Sequence, residues 1–175
     1  MKERPILFSA PMVRAILAGR KTVTRRTIKR GVVVTCDDNV GVADVPCPYG
    51  DPGDRLWVKE AWRAGVEWDR APPLDIDPYD ESIWFEATET PLPAAKSGWG
   101  KRRPSLFMCR WMSRILLNVA SVRAERLQAI TDAEARAEGL DGVTEFAALW
   151  DTINGPGSWD ADPWVWRVEF ARSKA

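Results

Sequence analysis

Strand-like segments in this chain neither alternate regularly with helices nor follow one another in uniform pairs, and that order points to a mixed α+β fold, a small barrel flanked by helices. Pro5 to Phe8 reads as a short strand. Ser9 then stands as an N-cap before Pro11, Met12, Ile16 and Leu17, which recur at helical spacing until Gly19 ends the helix. A strand opens at Val23, and residues 31 to 51 are rich in turn formers. Pro52-Gly53-Asp54 turns the chain into a strand from Arg55 to Trp62, with Leu56, Val58 and Glu60 on one face and Trp57, Lys59 and Ala61 on the other. Ile115 to Leu127 is a long strand, Thr131 and Glu134 form a capping box for a helix ending near Gly139, and Trp164 to Arg172 closes the chain as a strand. Thr144 to Ile153 has Phe146, Leu149, Trp150 and Ile153 on one apolar helical face.

Between Arg63 and Pro104 this periodicity fades into a stretch with nine prolines and glycines, carrying one short strand at Ile83 to Ala87. It reads as a long loop insertion, of the kind that serves as a lid or binding loop. The 175 residues as a whole are expected to form a single domain. No apolar run reaches the roughly 20 residues that span a bilayer, and the N-terminus has no signal-peptide core, so no membrane partner and a cytoplasmic location are expected. Cys36, Cys47 and Cys109 match no metal-binding spacing and read as free thiols, with no metal site.

The chain contains no histidine, which removes Ser-His-Asp and Cys-His catalysis and the common zinc hydrolase sites. Acid-base chemistry is left to Lys, Asp, Glu, Tyr or Cys. No phosphate loop, dinucleotide fingerprint or nucleophile elbow is present, so no cofactor is implied. Net charge is zero but unevenly spread: Arg14, Arg20, Lys21, Arg25, Arg26, Lys29 and Arg30 fall in a stretch with no acid between, and a second basic stretch runs from Lys96 to Arg114. Such a face attracts phosphates. Ten tryptophans mostly supply core, as the alternation of Trp164 and Trp166 indicates, while Trp57, Trp62 and Trp111 lie near basic residues where a base can stack.

Lys21 sits among arginines, and like charges favour its neutral amine, which is the form that can take a proton from Thr24. Residues three apart in a regular strand face opposite ways, so this pairing needs a turn near Gly19. The alternative for the same run is phosphate binding. Among the acids, Glu138 stands at the helix end where a carboxylate opposes the dipole, which sets it apart from Asp132 and Glu134 at the favourable end. Asp54 and Glu60 are the other candidates.

Ile16-Leu-Ala-Gly-Arg-Lys-Thr-Val-Thr-Arg-Arg26, followed by Gly53-Asp54-Arg-Leu-Trp-Val58, resembles the ASCH family, whose fold is a PUA-like barrel. The resemblance covers the first 26 residues, residues 53 to 62 and residues 110 to the end. The Ile-Leu-Ala-Gly-Arg-Lys-Thr-x-Thr-x-Arg run is similar to that of small bacterial N4-acetylcytidine amidohydrolases, which lack the long insertion. That resemblance implies a catalytic set of Lys21, Thr24 and Glu138. It further implies hydrolysis of the amide of an N4-acylated cytidine or a similar modified nucleoside, with Thr24 or water as nucleophile. Arg20, Arg25, Arg26, Trp57, Lys59, Glu60 and Trp62 are the expected substrate-binding residues, with Arg25 and Arg26 at the oxyanion. A non-catalytic module that binds RNA or a modified base, or an RNA-cleaving ASCH protein, fits the same residues; the oligomeric state is not fixed by any of them. The two main readings separate by salt. If residues 20 to 30 serve RNA, filter binding should weaken steeply as salt rises, because each phosphate contact releases counterions; salt-insensitive binding of a nucleoside would favour the enzyme.

Overall fold

The computed structural model describes residues 1–28, 46–79, 83–88 and 98–173. Cys36, Lys29, Arg30, Lys96 and most of the turn-rich stretch 31–51 lie outside the described residues. The fold is α+β. A mixed sheet of five strands contains β1 (Glu3–Leu7), β2 (Val23–Thr27), β3 (Arg55–Lys59), β6 (Leu116–Arg126) and β7 (Trp164–Arg172). Its order is β1-β3-β6-β7-β2, with β1 parallel to β3 and every other pair antiparallel. The helices are α1 (Ala10–Leu17), α2 (Asp132–Ala137) and α3 (Val143–Asn154). Among the described residues no helix is long and apolar enough to cross a membrane.

Sequence periodicity sets these elements. In β3 the expected faces separate cleanly: Leu56, Val58 and the following Glu60 are buried, whereas Trp57, Lys59 and Ala61 are half-buried. Pro5, which lacks an N–H, is tolerated because β1 is an edge strand. The interior strand β7 is buried from Val165 to Val168, having helices on one side and the main core on the other. The Thr131–Glu134 capping box opens α2, with both reciprocal bonds made, and Gly139 follows its C-terminus at φ +92°.

The sheet is strongly curled. Phe8 follows edge strand β1 and Phe170 lies on β7, three strand intervals away, which is about 14 Å in a flat sheet. Their ring centroids are 6.1 Å apart. Across the full width, Arg26 of β2 donates to the carbonyl of Leu7 in β1 at 2.6 Å. The two edges therefore meet, and α1 needs only eight residues to connect them. The expected barrel is not closed by a backbone ladder among the described residues: this junction is made by a side chain.

Two expectations change. The stretch expected to be a loop insertion holds a two-stranded sheet of β4 (Trp62–Arg63) and β5 (Trp84–Phe85), bridged further by Trp62 to Arg103 and Gly65 to Trp99. Its own apolar cluster of Trp62, Ala64, Ile76, Met108 and Met112 gives these segments a core that a strand-and-helix periodicity search does not register. Ile153, expected on the buried face of α3, is 68% exposed, because the last turn of that helix overhangs the sheet-facing cluster formed by Phe146 and Trp150.

The approach of α2 to α1 depends on Gly139. A Cβ there would lie 2.9 Å from the Ala15 Cβ and 3.4 Å from the Lys21 Cβ, and φ is left-handed as well. Gly19, at φ +73°, has open space around its missing Cβ. Gly19→Ala should therefore cost only backbone strain, about 1–2 kcal/mol, and Gly139→Ala should cost distinctly more. Urea midpoints of the two variants should fall in that order; equal losses would show that the close packing at Gly139 is not felt.

Candidate functional site

The end of α1, the start of β2 and the end of α2 bring together the residues singled out by the sequence. Lys21 is not part of β2. The N–H groups of Arg20 and Lys21 both return to the Ala15 carbonyl, and Thr22 N–H donates to Ala137 at 2.8 Å, so the strand begins only at Val23. This turn removes the alternation problem between Lys21 and Thr24. Lys21 Nζ donates to Val23 O and Glu138 O, both at 2.9 Å, and to Glu138 Oε2 at 2.5 Å. Three acceptors use the whole donor capacity of an ammonium. Both side chains are almost wholly buried. Burial is the largest influence on Lys21 and pulls its pKa below 10.5; the Glu138 carboxylate opposes that pull, while Arg26 and Arg25 add to it.

Thr24 is also buried, yet its hydroxyl has no hydrogen-bond partner among the described residues. Lys21, Thr24, Arg26 and Glu138 border one cavity of about 660 Å³. The start of α1 forms another wall, and Leu140, Phe146, Leu149, Trp150 and Ile153 give a third, apolar wall. Glu86, Arg102 and Pro104 complete it, so the segment read as an insertion borders the same space. Arg26 lies with its guanidinium 5.2 Å from the Phe8 ring centroid, and its Nε has no hydrogen-bond partner.

Arg25 also borders the cavity, but its guanidinium is committed elsewhere. Strand alternation turns it to the opposite face from Thr24 and Arg26. There it pairs with Glu125 at 2.7 Å, Glu134 at 3.0 Å and Glu138 at 3.3 Å. That leaves no exposed side-chain surface for an oxyanion or a phosphate. Register explains the arrangement: Arg25 lies opposite Arg167, and Arg167 opposite Arg123, so three arginines stand in a row across β2, β7 and β6. Like charges placed opposite one another are destabilising unless neutralised. Glu134 and Glu138, one helical turn apart on α2, supply part of that neutralisation, and Glu125 and Glu169 supply more. The sequence signal was present in Glu134 and Glu138 at i, i+4, but their partners became visible only with strand register.

The remaining expected substrate-binding residues lie elsewhere. Arg20 is exposed and borders a different cavity. Lys59 lies 5.4 Å from the Trp57 ring centroid and donates to the Leu106 carbonyl, away from the first cavity. Glu60 is buried in a two-bonded pair with Arg114, 2.9 Å on each arm. Trp62 is fully buried in the second apolar cluster, and Trp111 packs against the same cluster. Asp54 is a structural acid: the backbone N–H of Lys2 is the largest influence holding its carboxyl below the ordinary range. Cys47 and Cys109 are free thiols, and no metal-holding cluster occurs among the described residues.

No family model matches the chain, and no curated protein matches it. Among solved structures it is similar to the crystal structure of protein EF3133 from Enterococcus faecalis V583, described by the family model DUF984. That likeness covers 98% of this chain and 80% of the other at 10% identity, with a TM-score of 0.46. At that level it carries no argument about fold or function.

The network makes acid sensitivity predictable. Burial tends to raise the Glu134 pKa, but the Thr131 N–H and Arg25, Arg167 and Arg123 together bring it below 4.5. A carboxylate depressed in the folded state contributes stability that is present above its unfolded pKa and is lost as pH falls through the folded one. Glu134→Gln should therefore be less stable than the parent at neutral pH and should show a shallower loss of stability below about pH 4.5. Urea unfolding at a series of pH values reads both; parallel acid limbs would remove Glu134 from the linkage.

Proposed function

We propose that this chain is an amidohydrolase of the ASCH type, with a PUA-like curled sheet, that removes the acyl group from an N4-acylated cytidine or a similar modified nucleoside. The observation that carries this reading is the buried Lys21–Glu138 pair beside the Thr24 hydroxyl, which has no partner among the described residues, all bordering one cavity. Their chemistry needs no histidine, and the chain has none.

When substrate displaces water from the cavity, the proton on Lys21 passes to Glu138 along the 2.5 Å contact, leaving an amine and a carboxylic acid. Loss of water favours this exchange, because a low dielectric penalises separated charge. Thr24 Oγ1 attacks the acyl carbon and its proton goes to Lys21. The carbon–nitrogen bond then breaks while Glu138 protonates the departing 4-amino group. Water attacks the resulting Thr24 ester, gives one proton to Glu138, and the Thr24 oxygen leaves with a proton from Lys21. The amine and the acid are restored, and the products are a carboxylic acid and the free cytidine base. On this reading Arg26, which borders the same cavity, stabilises the oxyanion. The burial of Lys21 and Arg25 against glutamates counts against their use as phosphate ligands, and so against an RNA-binding role for this part of the basic run.

Incubation with N4-acetylcytidine, followed by chromatography for cytidine, tests the activity directly. General-base contributions are about 10²–10⁴-fold, so Lys21→Met and Lys21→Arg should each lose at least that much turnover while remaining folded by circular dichroism. Arginine keeps the charge but cannot become neutral. Near-normal hydrolysis by Lys21→Arg would sink the proton-transfer scheme, and no hydrolysis by the parent protein would sink the activity.

A further inference from the structure

The second cavity, about 650 Å³, lies against the first. Pro11, Met12 and Leu140 border both. The partition elsewhere is one residue thick: Lys21 and Glu138 face the first cavity, and their chain neighbours Arg20 and Gly139 face the second. The two cavities differ in charge. Around the second stand Arg14, Arg20 and Arg114, with Glu145 as its acid. Arg114 is spent on Glu60, and Glu145 accepts the Asp141 N–H at 2.7 Å. Arg14 and Arg20 are exposed, and neither has an ion pair or side-chain hydrogen bond among the described residues. They differ in this from Lys21 and Arg25, whose charges are internally matched.

Two unmatched guanidiniums on a concave surface make a site for a doubly charged oxyanion, which arginine binds in a two-bonded fork. A free nucleoside has no such group; a nucleotide does. We infer that the second cavity is a phosphate subsite of the same substrate, with Arg14 and Arg20 holding a phosphate ester while the acylated base occupies the first cavity. This rests on the function proposed above and narrows its substrate class to phosphorylated nucleosides, either a free nucleotide or a residue in a polynucleotide. The shared Pro11–Met12 wall is the path the sugar takes between the two spaces.

The test compares kcat/KM on N4-acetylcytidine, its 5′-monophosphate and a short oligoribonucleotide containing one N4-acetylcytidine, with the parent protein and with the Arg14→Ser/Arg20→Ser double variant. The expected result is a preference of about tenfold or more for a phosphorylated substrate, equivalent to one good charge-assisted contact. In the double variant the ratio of phosphorylated to unphosphorylated substrate should collapse toward one. A preference for the oligomer with a steep salt slope identifies a polynucleotide as the source of the phosphate; a preference for the monophosphate identifies a free nucleotide. Equal kcat/KM on all three substrates, or a preference that survives in the double variant, overturns the subsite. If no substrate is cleaved the proposed activity fails, and calorimetry with cytidine 5′-monophosphate against cytidine still decides the subsite. Tighter binding of the monophosphate by the parent, lost in the double variant, upholds it, and equal affinities overturn it.

Discussion

A row of arginines laid side by side across three strands governs how this molecule is assembled. Arg25, Arg167 and Arg123 occupy successive registered positions on β2, β7 and β6, where their mutual repulsion would weaken the sheet. Carboxylates from the same strands answer part of it, and the short helix α2 answers the rest by lying over the row with Glu134 and Glu138 directed at it. Removing Arg25, whose side chain is wholly buried, costs about 3–5 kcal/mol, because its glutamate partners are left charged without it. That is enough to fix where α2 sits. Once α2 is fixed, Glu138 at its end is fixed too, and Lys21 has its counter-ion. The site is therefore the margin of a structural network: Glu138 touches Arg25 on one side and Lys21 on the other.

Curling of the sheet supplies the other half of the geometry. Edge strand β2 offers both of its faces to use. One face carries Arg25 into the charged network, and the other presents Thr24 and Arg26 toward the end of β1 and the start of α1. A flat sheet would separate these groups by its full width. The cavity thus has a polar floor from β2 and α2, an apolar wall from α3, and a rim from the β4–β5 segment.

Much of this was legible in the residues. Gly19, the capping box at Thr131 and the alternation in residues 55–61 announced the first helix, α2 and β3, because each rests on local backbone chemistry. Lys21, Thr24 and Glu138 were singled out and do converge. Trp62 and Glu60 were expected to touch substrate and instead serve a cluster and an ion pair inside the protein, since a tryptophan near basic residues reads alike whether it stacks on a base or packs beneath an arginine. Arg25 departs from its expected role for a related reason: a basic run in sequence says nothing about which members face acids two strands away. The apolar cluster under residues 62–112 also escaped notice, because its contacts join short turns and lack a repeating period.

The edges β1 and β2 are joined by Arg26 reaching to Leu7, and nothing of the backbone ladder crosses that seam among the described residues. A ladder resists parting because several bonds must break together. The polar part of this seam is one guanidinium–carbonyl bond, on the order of 1.5–3 kcal/mol, and apolar packing of Phe8 against Phe170 supplies the rest. The seam runs along the cavity, which Leu7, Phe8 and Arg26 border, and no strand pairing ties its two sides together there. Such a joint is a clasp: the side chain that fastens the two edges also borders the cavity, so one guanidinium belongs to both the seam and that space.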